Sequence, residues 1–144
     1  MATASIRRRL ASMLYESLLL LGVLSVAFVV PHLLLGMAWK VALPGPLLWL
    51  HLFIVLLAYF GWLWKRNGQT LAMQTWKIKL VSANGMPLTN RQVFLRFCLA
   101  WPSLLGCGIG ILWALFDRDR QFLHDRLAGT RLIRLGTSAP LDPP

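Results

Sequence analysis

The chain has 144 residues, enough for one domain, with 57% hydrophobic residues, 14% charged residues and a mean hydropathy of +0.60. Soluble domains carry about 25% charged residues, so this composition argues against an ordinary soluble domain. Seven Trp and seven Phe exclude a disordered chain, and two Cys exclude a scaffold held by several disulfides. We expect a small integral membrane protein.

The net charge of +10 has a membrane explanation. Lys and Arg residues flank the long apolar runs, as they do where membrane helices meet an anionic cytoplasmic leaflet. We therefore expect the bilayer and its anionic headgroups as partners, and we do not expect nucleic acid.

Two apolar runs predict membrane-spanning helices. The first, Leu10–Val30, has the roughly 20 residues needed to cross the hydrocarbon core, and Glu16 is its only charged residue. Because that carboxylate interrupts the run and no A-x-A-like site follows, we expect an uncleaved span and not a signal peptide. The breakers Pro31, Gly36 and Pro44 predict a connecting loop over 31–46. The second span is expected at Leu47–Trp64.

A third apolar stretch, Val93–Phe116, is long enough to span but contains several residues that weaken or break helices. These are Pro102, Gly106, Gly108 and Gly110, and the stretch also contains Arg96. It is predicted to be broken, and either re-entrant or fully spanning. Gly106 and Gly110 form a G-x-x-x-G pair, which favours either close helix contact or a kink.

Two short segments alternate as strands do. They are Trp76–Val81, followed by turn residues, and Thr130–Leu135. Two such strands are marginal alone, so the first forms a hairpin or the two pair with each other on one side of the membrane. The predicted fold is thus an all-α membrane protein with two transmembrane helices, a third broken segment and a short cytoplasmic β-hairpin or strand pair. A single domain is expected over 1–144, with its core at about 8–134 and a disordered Pro-rich tail at 135–144.

The distribution of Lys and Arg favours a cytoplasmic N-terminus. With a re-entrant third segment, one side holds 14 of these residues and the other holds Lys40 alone. With three full spans the ratio is 9 to 6, a much weaker bias. We expect a multi-pass membrane protein, with a modest preference for a cytoplasmic tail.

Polar residues in apolar surroundings are the candidate functional residues. Glu16 lies about 9 Å along the first span, where an acidic group is costly and is a functional hypothesis by default. Arg9 lies two turns earlier on the same face, aligned with Glu16 but not adjacent to it. Glu16 therefore handles an ion or proton, or it neutralises an arginine of another helix. His51, inside the second run, is expected to be a packed, hydrogen-bonded residue, with a proton relay as the alternative.

A mixed-charge run at 115–130 is typical of a solvated, self-paired surface. Within it, His124 and Asp125 could move protons, but one His and scattered Asp do not form a metal ligand set. No catalytic motif is present, so we expect neither an enzyme nor a cofactor or metal.

Three motifs form a larger pattern. Arg9 and Glu16 mark the entry of the first span, GQTLA at 68–72 precedes the first strand, and HDRLAGT at 124–130 leads into the second. Together they resemble the RDD family of small bacterial membrane proteins, named for an arginine and two aspartates. The resemblance extends from Arg8 to about Arg134. Glu16 stands where the family has its first Asp, and Ala72 stands where the family usually has Gly.

Together with the charge bias, the resemblance implies a multi-pass protein of the bacterial cytoplasmic (inner) membrane. It also implies a helical membrane domain with a polar site at Arg9, Glu16 and Asp125, supported by Gly68, Gln69, Thr70, His124, Gly129 and Thr130. Transport of unknown ligands is proposed for the family, and cation/proton antiport for some members. We therefore expect a transport or ion-handling module. Two or three membrane segments can hardly enclose a pathway, so a homo-oligomer or another membrane protein is implied as partner. The alternative is a structural or assembly module whose basic cytoplasmic face binds lipid headgroups or a protein.

Overall fold

The computed structural model of the protein describes residues 3–106 and 108–136. It is mostly helical, with one two-stranded sheet. Two of its helices are long and apolar enough to cross a membrane, Ile6–Trp39 and Gly45–Asn67. Their outer faces carry large exposed apolar side chains, as expected where lipid is the solvent; examples are Leu14, Leu18, Leu21, Leu33, Leu50 and Ile54.

The first long helix consists of three parts. α1 (Ile6–Leu24) continues through a π-helical turn (Ser25–Val29) into α2 (Val30–Trp39). The predicted loop over 31–46 is therefore wrong in its first nine residues, because the helix runs through Pro31. Proline removes a backbone donor and crowds the carbonyl four residues earlier, and the wider π-turn directly before Pro31 accommodates this change. The helix ends at Lys40, which adopts a left-handed conformation.

The second long helix, α3 (Gly45–Asn67), confirms the second predicted apolar run and extends it at both ends. Pro46 lies in its first turn, where a missing N–H costs nothing. Gly68 ends the helix with φ of 67°, and a Cβ there would lie 2.6 Å from the Leu80 carbonyl oxygen. Glycine is thus required at this joint between α3 and the sheet.

The third apolar stretch folds as two helices, α5 (Asn90–Leu105) and α6 (Ile109–Phe116). Thr89 and Gln92 begin α5 with a reciprocal capping box. The predicted break is present: the chain turns at Gly106, and Gly108 has φ of 72°. Gly110 then packs so closely against α5 that a Cβ would overlap the Ser103 hydroxyl. The two interpretations of the G-x-x-x-G pair both apply, with a kink at its first glycine and close contact at its second.

The sheet pairs β1 (Ile78–Ser82) with β2 (Thr130–Arg134) in antiparallel register, Leu80 opposite Leu132. This confirms the predicted strand pair; the alternative hairpin does not form in the described residues, since β1 pairs only with β2. Beyond β2, the Leu135 amide donates a 2.8 Å hydrogen bond to the Lys77 carbonyl oxygen. The rest of the predicted tail, 137–144, lies outside the described residues.

Two five-residue helices, α4 (Leu71–Thr75) and α7 (Leu123–Leu127), each precede a strand. The sheet packs against the ends of the long helices near Trp64, and α5 lies beside it. The buried core at this end of the bundle comprises Ala4, Leu56, Trp64, Met73, Ile78, Leu80, Leu88, Val93, Phe97 and Leu132. The polar candidate residues are grouped around the same core.

Candidate functional site

Arg9 is almost fully buried in the second turn of α1. Its Nη1 donates to the Arg120 carbonyl oxygen at 2.9 Å and its Nη2 to the Leu132 carbonyl oxygen at 3.5 Å. The guanidinium also lies 5.5 Å from the centroid of the Phe122 ring. Arg9 thus joins the first helix to the chain segments on both sides of α7.

Glu16 lies two turns further along α1 and is 8% exposed. Tyr59 Oη, on α3, donates a 2.8 Å hydrogen bond to Glu16 Oε1. No ion pair within 4.0 Å joins Glu16 to Arg9 or to any other cation in the described part of the chain. The hypothesis that Glu16 neutralises an arginine of another helix is therefore not supported by the structure, which gives it a tyrosine partner.

Asp125 is fully buried and forms an ion pair with Arg96, which is not among the predicted site residues. Arg96 Nη2 lies 2.7 Å from Asp125 Oδ1, and the Arg96 guanidinium lies 4.5 Å from the centroid of the Trp64 ring. Thr130 Oγ1 donates to the Asp125 backbone carbonyl at 3.2 Å. One feature of the sequence could have identified Arg96: it is an arginine inside an apolar run. A buried charge of this kind needs a partner.

The mixed-charge run at 115–130 was predicted to be a self-paired surface, and the structure divides it. Arg126, which is exposed, does form an ion pair with Asp117. Asp125, in contrast, is 0% exposed and belongs to the interior. Neighbouring charges in the sequence thus lie in opposite environments, because α7 turns one side chain toward α5 and the next toward water.

His124 is buried beside Asp125. Its Nδ1 lies 3.1 Å from Ser103 Oγ, and its Nε2 lies 3.6 Å from Asp125 Oδ1. Burial lowers the pKa of His124 to about 4; Asp125 opposes this shift, and Arg96 and Arg9 add to it. The imidazole is therefore neutral at pH 7, so that Nδ1 can accept a hydrogen bond from the Ser103 hydroxyl while Nε2–H faces the carboxylate.

A cavity of about 390 Å³ lies between α1, α3 and α5. Most of its lining residues are apolar or aromatic, and its polar lining residues are Arg9, Ser12, Glu16, Ser17, Thr70, Arg96 and His124. Asp125 does not line the cavity, but its carboxylate contacts two residues that do, Arg96 and His124. The structure therefore groups the predicted polar residues around one space, with Asp125 in the supporting wall.

The GQTLA motif forms the joint between α3 and β1. The Gly68 carbonyl accepts from the Leu80 amide at 2.7 Å, and Gln69 Nε2 donates to the Ile78 carbonyl at 2.7 Å. The Thr70 hydroxyl caps α4 by accepting from the Met73 amide at 3.3 Å. These three predicted residues shape the backbone and hold β1 in place.

The closing motif forms an equivalent joint between α7 and β2. Gly129 has φ of 66°, and its carbonyl accepts from the Ala83 amide and from Gln92 Nε2. Thr130 follows as the first residue of β2 and is buried. Gly129 and Thr130 thus position the helical turn that carries His124 and Asp125.

Comparison with known proteins is consistent with these motifs. The model of the RDD family matches residues 3–129. An uncharacterized protein of Rickettsia prowazekii (strain Madrid E) is 32% identical over 81 residues, which cover 56% of this chain and 45% of that protein. No solved structure matches the chain significantly. The family match covers most of the sequence and includes Arg9, Glu16 and Asp125: the chain belongs to the RDD family.

Proposed function

We propose that the protein is an ion-handling transport module in which Glu16 takes up a cation or a proton from the cavity. The observation that carries this proposal is the state of Glu16: it lines the cavity, accepts a hydrogen bond from Tyr59 and has no ion-pair partner among the described residues. A carboxylate at membrane depth is costly unless it is compensated. An incoming cation or proton would provide that compensation.

The proposal places the protein in the bacterial inner membrane as a multi-pass protein, with its N-terminus and sheet in the cytoplasm. Two observations support this orientation. β1 precedes the α5–α6 segment and β2 follows it, so the pairing of the strands brings both ends of that segment to the same end of the bundle. A re-entrant α5–α6 segment then leaves Lys40 as the only Lys or Arg on the opposite side.

We further propose that the protein works as a homo-oligomer or with another membrane protein. Two long helices and one broken segment give too few walls to enclose a pathway across a bilayer. The exposed apolar faces of α1, α2 and α3 are suited to lipid or to other transmembrane helices. The role assigned here is not enzymatic and requires no cofactor.

The test is cation-driven proton movement in liposomes that contain the purified protein. We compare the wild type, Glu16→Gln, Glu16→Asp and empty vesicles. Gln keeps an oxygen that accepts from Tyr59 but cannot bind a proton, so flux should fall to the level of empty vesicles while helicity is unchanged. Asp, the residue of the family pattern, should preserve flux. Wild-type flux equal to that of empty vesicles, across the cations tested, contradicts the proposal.

A structural or assembly role is the second candidate, and the buried Arg96–Asp125 pair favours it. This pair and the contacts of Arg9 join α1, α5, α7 and β2 to one another. Under this proposal, the basic residues of the sheet end bind anionic headgroups or a protein partner. A Glu16→Gln variant that unfolds at lower temperature, together with absence of flux in the wild type, would favour assembly over transport.

A further inference from the structure

Two histidines face each other at the end of the bundle opposite the sheet. His32 on α2 and His51 on α3 approach with His32 Nε2 and His51 Nδ1 3.5 Å apart, and their ring centroids are 4.9 Å apart. Each lies about two turns from the loop that connects the long helices. The proposed ion-handling function uses neither residue.

The tautomer of His32 follows from its second contact. His32 Nδ1 lies 2.6 Å from the Phe28 carbonyl oxygen, which can only accept, so Nδ1 carries the proton. In the neutral ring, Nε2 therefore has a lone pair directed toward His51. The Phe28 ring lies 4.7 Å from the His32 ring and 5.4 Å from the His51 ring, and this packing holds both imidazoles in place.

The separation of the two facing nitrogens matches a metal's requirement. With Zn–N distances of about 2.0–2.1 Å and tetrahedral angles, two nitrogen ligands of one zinc ion lie about 3.3–3.4 Å apart. The observed 3.5 Å needs an adjustment of only about 0.1–0.2 Å. We infer that His32 Nε2 and His51 Nδ1 together bind a divalent transition-metal ion such as Zn²⁺. The bound ion would connect α2 to α3.

The surroundings of His32 are those of a metal ligand. A ligating histidine usually donates its other ring N–H to a carbonyl or carboxylate, which fixes its orientation and raises its basicity. The Phe28 carbonyl provides this acceptor. It belongs to the π-helical turn Ser25–Val29, and π-turns inside α-helices frequently occur at functional sites.

Two imidazoles select the class of metal and leave coordination positions open. Imidazole suits Zn²⁺, Cu²⁺ and Ni²⁺, whereas Mg²⁺ and Ca²⁺ prefer oxygen ligands. In the described residues, no group of three or more His, Cys, Asp or Glu side chains is placed to hold a metal. The remaining positions are therefore taken by water or by another exogenous ligand.

The test is titration of the full chain in detergent with Zn²⁺ by calorimetry, using a purification tag without histidine. We expect one Zn²⁺ per chain, and Mg²⁺ should give no binding heat. His32→Gln and His51→Asn keep a polar group near Nε2 and Nδ1, respectively, but remove the ligand. Loss of an outer-shell partner alone costs about 10- to 100-fold in affinity, so each variant should weaken Zn²⁺ binding at least about tenfold.

His124→Gln, which alters the third histidine of the chain, is the matched control and should retain Zn²⁺ binding. A measurement on the wild type guards against variants that fail to fold: Zn²⁺ should raise its melting temperature, whereas Mg²⁺ should not. Absence of Zn²⁺ binding by the folded wild type overturns the inference. Binding that persists at full strength in both folded variants, His32→Gln and His51→Asn, overturns it too.

Discussion

The Tyr59 hydroxyl donates a 2.8 Å hydrogen bond to the Glu16 carboxylate and joins the two long helices at the depth of the cavity. Hydrogen bonds to charged groups contribute about 1.5–3 kcal/mol, and the loss of one leaves the buried partner unsatisfied. Tyr59→Phe should therefore lower the free energy of unfolding by about 1–3 kcal/mol. Denaturant unfolding in detergent, followed by helicity, measures this change.

Tyr15→Phe is the control for this prediction. Tyr15 is adjacent to Glu16 in the sequence, is 43% exposed and is the only other tyrosine in the chain. Its substitution removes the same hydroxyl from a surface position, where changes are usually within about 0.5 kcal/mol. Equal destabilisation by the two variants would show that the hydrogen bond to Glu16 has no special weight.

The buried ion pair between Arg96 and Asp125 supports the second prediction. Removal of one partner leaves an uncompensated buried charge, so Asp125→Asn should cost about 3–5 kcal/mol of stability. The double variant Arg96→Met/Asp125→Asn should recover a substantial part of that loss, since neither charge remains. Asp119→Asn, at an exposed position of the same region, should have little effect. Strict additivity in the double-mutant cycle contradicts a coupled pair.

The parts of the fold that depend on local pattern could be predicted from the sequence. The apolar run of α3 and the alternation of β1 and β2 are local signals, and both segments form as expected. The start of the first loop could not be predicted, because a proline usually ends a helix. The π-helical turn Ser25–Val29 accommodates Pro31 instead. The general rule that proline ends a helix does not take such a turn into account.

The candidate site could be predicted only by its residue types. The polar residues Arg9, Glu16 and Asp125 stood out because charge is costly in an apolar setting. Their partners did not, since Tyr59 is 43 positions from Glu16 and no periodicity relates them. Arg96 was noted only as a residue within the third apolar stretch, and only the packing of α7 on α5 shows which carboxylate it meets. Partner assignment therefore required the three-dimensional fold.

His124 gives the third prediction, a pH dependence of stability. Its pKa is lowered to about 4 in the folded protein, against about 6.5 in an unfolded chain. Between these values the unfolded state binds more protons, so stability falls as the pH decreases from about 6.5 to about 4, by at most about 1.4 kcal/mol per pH unit. Melting temperatures across this range measure the slope. His124→Gln should flatten it, and an unchanged slope in that variant would assign the effect to other groups.

The fourth prediction concerns the contact of α5 with α6. A Cβ on Gly110 would overlap the Ser103 hydroxyl and lie 2.7 Å from Ser103 Cβ. Gly110→Ala should therefore separate the two helices and destabilise the protein by about 1–3 kcal/mol. Gly22→Ala is the matched control, since nothing lies within 4 Å of a Cβ at that helical position. Alanine there should be neutral or stabilise by up to about 1 kcal/mol.

Ser103→Gly provides the complementary variant, because it removes the side chain that the new methyl group meets. In the Gly110→Ala background it should restore part of the lost stability, at the cost of the Ser103 contact with His124. Thermal unfolding of the four proteins in one cycle measures this coupling. Gly110→Ala with wild-type stability would contradict the close packing of α6 on α5. It would also weaken the proposal that the third apolar segment is re-entrant, which this close packing supports.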